Sequence, residues 1–246
     1  MCYNVGVMQK FINYAHRGAS EYVPENTLLS FYTGIFMRAN GIETDVQLTK
    51  DAALVLFHDD TVNRVTNGNG KVSDFTLDQL KSLWVIKNGF KDRIITLEEF
   101  FVCFKDFDLT FAIELKGDNT AIPTAELIKK YGVQDKVVVT SFKYKELLDM
   151  RKVAPKIKTG FLVQTAIDDE LLSKMKVDGI TEICPEAPFI NKECVDKWHS
   201  LGFNVRAWGV IDTQLMKSVY YAGADGMTVN FPDKLTALIE KEKIVR

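Results

Sequence analysis

Eight short β-rich runs recur along this chain, and a helix-like segment follows each of them. The runs fall at 11–15, 42–48, 110–115, 136–141, 157–163, 180–184, 203–208 and 225–229. Strands separated by helices cannot pair as hairpins, so each is expected to lie beside a parallel neighbour. Eight such units can close into a (β/α)8 TIM barrel; the runner-up is an open doubly wound sheet with helices on both faces. "RANGIETDV", "KYGVQDKVVV", "SLGFNVRAW" and "YAGADGMTV" each set a glycine between a helix and a strand. Glycine accepts the left-handed conformation that ends many helices, which is the role expected of Gly41, Gly132, Gly202 and Gly223. Helix starts are expected at Asn26 or Thr27, at Asn191 and at Asp212, where the side chain can cap the first turn.

One irregularity interrupts the repeat. Roughly residues 54–95 intervene between the second strand and its helix, passing through the turn-rich "NRVTNGNGKVSD" and a short helical "LDQLKSL". No linker, tandem repeat or low-complexity tract divides the chain, so one barrel over 1–246 with a small insertion at 54–95 is expected. The stretch "NGNGK" lacks the spacing and hydroxyl residue of a phosphate-binding P-loop and reads as a turn. The phenylalanine-rich "EEFFVCFKDF" reads as a helix face turned to the core.

Composition narrows the partners. Lysine plus arginine is 31 against 33 acidic residues, a formal charge of −2, so no basic excess exists to hold nucleic acid or an anionic membrane. No apolar run reaches the length of a membrane span, and "MCYNVGVMQKFINYAHRG" lacks the layout of a secretory signal. Cys2, Cys103, Cys184 and Cys194 show no metal-type pairing and are too sparse for a disulfide framework. Cytoplasmic residence without stable membrane association is the expectation; the oligomeric state is open, homo-oligomers included.

Two strands carry charge on one face. In "GIETDVQL" Ile42, Thr44, Val46 and Leu48 alternate with Glu43 and Asp45; in "TFAIELK" Phe111, Ile113 and Leu115 alternate with Glu114 and Lys116. For either strand alone, a half-solvated antiparallel sheet explains the pattern as well as a site does. In a closed barrel, however, the second face points inside, where charges are costly unless paired or bound to an ion. The charges also fall late in each strand, towards the C-terminal mouth where barrels of this kind carry their sites. An oxygen-only set of three carboxylates suits one hard divalent cation, Mg²⁺ or Ca²⁺.

The chain has three histidines. His16 closes the first strand and His58 follows "ALVLF", so both are expected at the same mouth, whereas His199 sits in a helix and reads as a surface or packing residue. Arg17, beside His16, suits bidentate binding of phosphate oxygens, and Lys116 adds a second positive charge. Together these groups describe phosphoryl chemistry with two imidazoles exchanging protons. Asp59 and Asp60 could support the site residues from behind, but turn or capping roles are preferred.

With these residues in view, "HRGASEYVPENTLLSF", "GIETDVQLTKDAALVLFHDDTVNRVTNGNG", "TLEEF", "IELK", "VRAWGV" and "DGMTVNFPD" resemble, in content and order, the glycerophosphodiester phosphodiesterase family, over almost the whole chain. The resemblance implies metal-dependent hydrolysis of small-molecule glycerophosphodiesters to glycerol 3-phosphate and an alcohol. It implies catalytic roles for His16 and His58, metal ligation by Glu43, Asp45 and Glu114, phosphate binding by Arg17 and Lys116, and a glycerol-facing position for Trp208. It also implies that the insertion caps the barrel mouth. Two departures bear on loop geometry: "KDAAL" replaces a commoner lysine–aspartate–glycine turn, and Gly209 stands where threonine is common. Rival readings are a phospholipase-type phosphodiesterase acting on membrane lipid, and a non-catalytic barrel that binds phosphate ligands. Neither is favoured by a chain with two proton-transfer groups and no basic or apolar rim.

Overall fold

The computed structural model describes residues 11–245. Cys2 and the other residues of 1–10 lie outside the described residues. Eight parallel strands form the barrel: β1 (Ile12–His16), β2 (Gly41–Leu48), β6 (Thr110–Leu115), β7 (Val137–Ser141), β8 (Lys158–Val163), β9 (Glu182–Pro185), β10 (Asn204–Val210) and β11 (Gly226–Val229). Their order is that of the sequence, and pairing of β1 with both β2 and β11 closes the ring. The open doubly wound alternative is therefore excluded. Helices α1 (Leu28–Phe36), α3 (Leu97–Phe104), α4 (Ala121–Tyr131), α5 (Tyr144–Val153), α6 (Asp169–Val177), α7 (Lys192–Ser200), α8 (Thr213–Ala222) and α9 (Pro232–Val245) follow the strands in turn.

Between strands and helices lies an apolar shell. On one side of the ring Ile42, Val46, Phe111 and Ile113 meet Phe31, Phe100 and Phe104 from α1 and α3. Phe100 stands edge-on to Phe31 at 5.1 Å and to Phe111 at 5.2 Å, aromatic contacts worth about 1 kcal/mol each beyond area burial. The phenylalanine-rich helix is thus core, as its spacing implies. Thr27, Asn191 and Asp212 cap α1, α7 and α8, each accepting a backbone N–H three residues on.

Of the four junction glycines, Gly132, Gly202 and Gly223 have positive φ, whereas Gly41 does not. The left-handed residue after α1 is Arg38, and Gly41 opens β2. It is small for another reason: a Cβ there would sit 2.7 Å from the Tyr14 ring and 2.8 Å from Ile12. Close packing of β1 on β2, not helix termination, sets this position.

The insertion holds β3 (Leu54–Leu56), helix α2 (Leu77–Ser82) and a hairpin of β4 (Trp84–Lys87) and β5 (Phe90–Arg93). Strand β3 runs antiparallel to the end of β2. Val55, Phe57, Val62, Val72, Leu80, Val85 and Ile94 give the insertion a small core of its own. The hairpin rests on the β1–α1 loop and the start of α1: Asn88 donates to the Tyr22 carbonyl at 3.1 Å, and Asp92 accepts the Leu29 N–H at 2.9 Å.

Candidate active site

The barrel register assembles the charged side chains. His16, the last residue of β1, lies opposite Glu43, and Asp45 lies opposite Glu114. Glu43 is only the third of eight residues in β2, so it does not fall late in its strand as the sequence suggested. Strand stagger around a closed barrel lifts it to the level of the β1 terminus all the same. Glu43, Asp45 and Glu114 each offer an oxygen within 4.8 Å of the others, and all three are buried.

Immediately after β1 the chain turns sharply. Arg17 takes φ +54°, uncommon for a residue with a Cβ, and Gly18 follows at φ +80°. A Cβ on Gly18 would lie 2.4 Å from the Ser30 backbone, so α1 can approach the turn only because glycine is there. The turn aims the Arg17 N–H at Glu43 Oε2 (3.1 Å) and its Nη1 at Glu25 Oε1 (2.9 Å). Nε stands 3.3 Å from Asp45 Oδ2 but off the hydrogen-bonding line.

Asp45 is fully buried. Its Oδ2 accepts from Asn26 Nδ2 at 2.9 Å, while Oδ1 has no hydrogen-bond partner. An orphaned carboxylate oxygen facing two more carboxylates is what a cation-binding set requires and what a purely structural set avoids. The electrostatics agree. Burial, then Asp45 and Glu114, push the Glu43 carboxyl well above the usual carboxylate range. Burial and Asp45 push Glu114 up to about 7, against the opposing pull of Lys116, whose Nζ donates to Glu114 Oε1 at 3.0 Å. Burial would raise Asp45 too, but Arg17 and His58 outweigh it and hold that carboxyl down. The three acids thus fit one hard divalent ion.

The two histidines are each held by an oxygen on Nδ1. For His16 it is Asn230 Oδ1 at 2.6 Å, which also accepts from the Ser20 hydroxyl at 3.0 Å. Because both partners of that oxygen donate, the His16 proton sits on Nδ1 and Nε2 keeps a lone pair, 3.8 Å from Glu43 Oε2. For His58 the acceptor is Asp59 Oδ1, at 2.6 Å. This corrects the turn or capping role preferred for Asp59: its carboxylate orients an imidazole. Burial pushes Asp59 up, yet hydrogen bonds from Arg64 and His58 prevail and hold it at about 2. Gln47 anchors the same loop by donating to the carbonyls of Phe57, His58 and Asp59 at 2.8–3.1 Å. It extends the Glu43–Asp45 alternation by one step, a signal that was present in the strand.

His16, Arg17, Glu43, His58, Glu114, Lys116 and Trp208 line one cavity of about 220 Å³ at the C-terminal mouth, with Asp45 beneath it. Trp208 reaches the cavity through a register shift between Ala207 and Val210, a bulge in which Gly209 takes φ +70°. Its Nε1 donates to the Cys184 carbonyl at 3.0 Å, and its ring meets Phe142 edge-on at 5.0 Å. His199 lies elsewhere, exposed and 2.9 Å from Asp225. Cys103, Cys184 and Cys194 are free thiols. Among the described residues no helix is long and apolar enough to cross a membrane.

Strand alternation also places Arg206, two residues before Trp208, inside the barrel, where it bonds Glu182 at 2.8 Å. Sequence reading passed over this pair because each member is an isolated charge in an apolar strand.

Residues 16–234 match the model of the glycerophosphoryl diester phosphodiesterase family. A glycerophosphodiester phosphodiesterase of Caldanaerobacter subterraneus subsp. tengcongensis is 37% identical over 236 residues, covering 92% of this chain and 97% of that protein. One from Bacillus altitudinis is 31% identical, over 94% of this chain and 98% of that one. Among solved structures, a phosphodiesterase of Oleispira antarctica in complex with the product sn-glycerol-3-phosphate superposes with a TM-score of 0.84 at 26% identity, covering 92% of this chain and 96% of that one. With likeness over nearly the whole barrel in both sequence and structure, the chain belongs to the glycerophosphoryl diester phosphodiesterase family of hydrolases.

Proposed function

We propose that the chain hydrolyses glycerophosphodiesters to glycerol 3-phosphate and an alcohol by cation-assisted acid–base catalysis, with His16 as base and His58 as acid. The observation that carries this reading is the convergence of two imidazoles, two basic side chains and the acidic trio on one cavity. The product bound to the Oleispira protein supports the substrate class.

Glu43, Asp45 and Glu114 would hold one Mg²⁺ or Ca²⁺, which when bound supplies positive charge to the non-bridging phosphate oxygens. Arg17 and Lys116 add fixed positive charge on the same oxygens. Trp208, with Phe142 against its ring, offers an apolar wall to the glycerol carbons.

Different partners divide the two histidines. His16 leans on a neutral amide, and burial together with Arg17 holds its pKa down to about 3, so the ring is neutral and accepts a proton at Nε2. His58 donates from Nδ1 to a carboxylate, and in this scheme it gives its Nε2 proton to the departing alcohol oxygen. The proton taken by His16 comes from the attacking hydroxyl, either the substrate's own glycerol 2-hydroxyl or water. A diester lacking that 2-hydroxyl separates the routes, since unimpaired turnover rejects the internal one. Residues 54–95 act in this scheme as a cap on the mouth, and the free thiols accord with cytoplasmic residence.

The test is a coupled glycerol 3-phosphate assay across several head groups, run with chelator and with each cation restored. His16→Ala and Glu43→Ala variants are expected to fold and to lose nearly all turnover. Wild-type rates in either, or full activity in chelator, would reject the scheme.

A further inference from the structure

Arg64, half-exposed in the insertion, spans two carboxylates that belong to different parts of the site. Its Nε donates to Asp59 Oδ2 at 2.6 Å and its Nη2 to Asp59 Oδ1 at 3.0 Å. The same guanidinium donates to Glu25, from Nη2 to Oε1 at 2.7 Å and from Nη1 to Oε2 at 3.0 Å. Asp59 Oδ1 also accepts the His58 Nδ1 proton, and Glu25 Oε1 also accepts from Arg17 Nη1 at 2.9 Å. The series runs Arg17, Glu25, Arg64, Asp59, His58, with charges alternating from Arg17 to Asp59 and every neighbour within 3.0 Å.

An exposed ion pair usually contributes little, and a loop-tying role would be the ordinary explanation of Arg64. Its geometry is not ordinary. A planar guanidinium can engage two carboxylates by forks at once, which an ammonium cannot do. Without it the Asp59 carboxylate has only the imidazole to hold it and can rotate away from Nδ1. We infer that Arg64 is a positioning residue for the reaction: through Asp59 it fixes the His58 ring, and through Glu25 it sets the spacing between that ring and Arg17. The inference rests on the acid role given to His58 above. In that step the attacking oxygen bonds to phosphorus as the bond from phosphorus to the alcohol oxygen breaks, the Nε2 proton passes to the departing oxygen, and the ring is left neutral with its remaining proton on Nδ1, hydrogen-bonded to Asp59.

Leaving-group dependence tests it, because a nitrophenolate departs without a proton whereas the choline alkoxide does not. Arg64→Ala, Arg64→Lys, Asp59→Asn and His58→Ala are assayed at saturating divalent cation on glycerophosphocholine and on the 4-nitrophenyl diester of glycerol phosphate. Arg64→Ala should lose about 10–100-fold in kcat on the choline ester with KM moved less than about 3-fold, and its deficit on the nitrophenyl ester should be at least about ten times smaller. Arg64→Lys should not restore the rate. Combining Arg64→Ala with Asp59→Asn should cost no more than about 3-fold beyond Asp59→Asn, since both act through one ring. Equal losses of Arg64→Ala on both esters, losses that multiply in the double variant, or a wild-type kcat would each overturn the inference, with the acid role of His58 intact if His58→Ala still depends on the leaving group. If His58→Ala itself loses equally on both esters, the acid assignment falls and takes the inference with it.

Discussion

Two charged clusters lie inside the same barrel, and they are built on opposite terms. Beside β9 and β10, Arg206 donates from Nε to Glu182 at 2.8 Å, from Nη1 to the Thr228 hydroxyl at 3.0 Å and from Nη2 to the Cys184 sulfur at 3.4 Å. No polar side-chain atom of Arg206, Glu182 or Thr228 is buried without a partner. Beside β2 and β6, three carboxylates crowd together, Asp45 Oδ1 is orphaned, and the Thr140 hydroxyl in register with Glu114 is unpaired as well. Burial alone therefore does not mark a site, because Arg206 and Glu182 are as buried as Glu43. An unpaired oxygen on one of several clustered carboxylates does, whereas lone unpaired atoms such as Asn13 Oδ1 and the Thr124 and Thr159 hydroxyls occur away from the cavity. A closed ion pair spends its donors on its neighbours; a binding set keeps acceptors for a ligand.

The sharpest way to break this contrast is to neutralise one acid of the open cluster. Glu43→Gln keeps the shape and removes one of three mutually repelling charges. Turnover should fall by about a thousand-fold or more, while thermal stability holds or rises. Turnover within about ten-fold of wild type, or a collapse in melting temperature, would mean that the acids hold the fold rather than the ligand. The closed cluster predicts the reverse. Arg206→Ala leaves Glu182 as an unpaired buried carboxylate and should cost about 3–5 kcal/mol in urea denaturation. Changing both partners to neutral side chains, Arg206→Met with Glu182→Gln, should recover at least about half of that loss. A cost below about 1 kcal/mol for Arg206→Ala would erase the distinction between the clusters.

Acidity separates them next. Glu43 and Glu114 are raised in the folded chain, Glu114 from 4.5 to about 7, so the folded protein binds more protons than the unfolded one in that window. The contribution of these two carboxyls to cation-free stability is then greatest below about 4.5 and falls as pH rises through their folded values, opposed up to about 6.5 by His16, whose pKa is lowered. A divalent cation should reverse the trend, adding about 3 kcal/mol at a hundred times its Kd and more as pH rises and the ligands lose their protons. Melting curves at about pH 6.5 and 8.5, at and above the ordinary pKa of His16, with and without Mg²⁺ or Ca²⁺, check both signs. Identical curves with and without cation at about pH 8.5 would contradict a cation site.

Legibility in the sequence followed the range of the interactions. The eight strand–helix units were readable because alternation, helix spacing and capping residues are local. Glu43, Asp45 and Glu114 were readable because alternation within a strand assigns a face, and a closed barrel turns one face inward. Asp59 was misread because its meaning comes from Arg64, five residues on, and from His58 turning back upon it. The partnership of Arg206 with Glu182 spans 24 residues and two strands, so neither charge looks paired in one dimension. Gly41 was misread for a similar cause, since what forbids a side chain there is Tyr14 and Ile12 on the neighbouring strand.

The smallest expected effect comes from a residue outside both clusters, and it calibrates the others. In "KDAAL" Ala52 takes φ +62°. The turn is nevertheless formed: the Ala52 N–H donates to the Thr49 carbonyl at 3.0 Å, and Thr49 and Ala53 exchange further bonds at 2.9–3.0 Å. The chain thus accepts left-handed strain at a Cβ rather than change the loop that leads from β2 into β3. Relieving the strain with Ala52→Gly should add about 1 kcal/mol less the extra freedom glycine gives the unfolded chain, a net gain of a few tenths and a melting shift of about 1–2 °C. Turnover should not change, because the residue touches neither cluster. A gain in stability with a loss of turnover would instead tie this turn to the position of His58 six residues on, and the open cluster would then extend beyond the side chains that line the cavity.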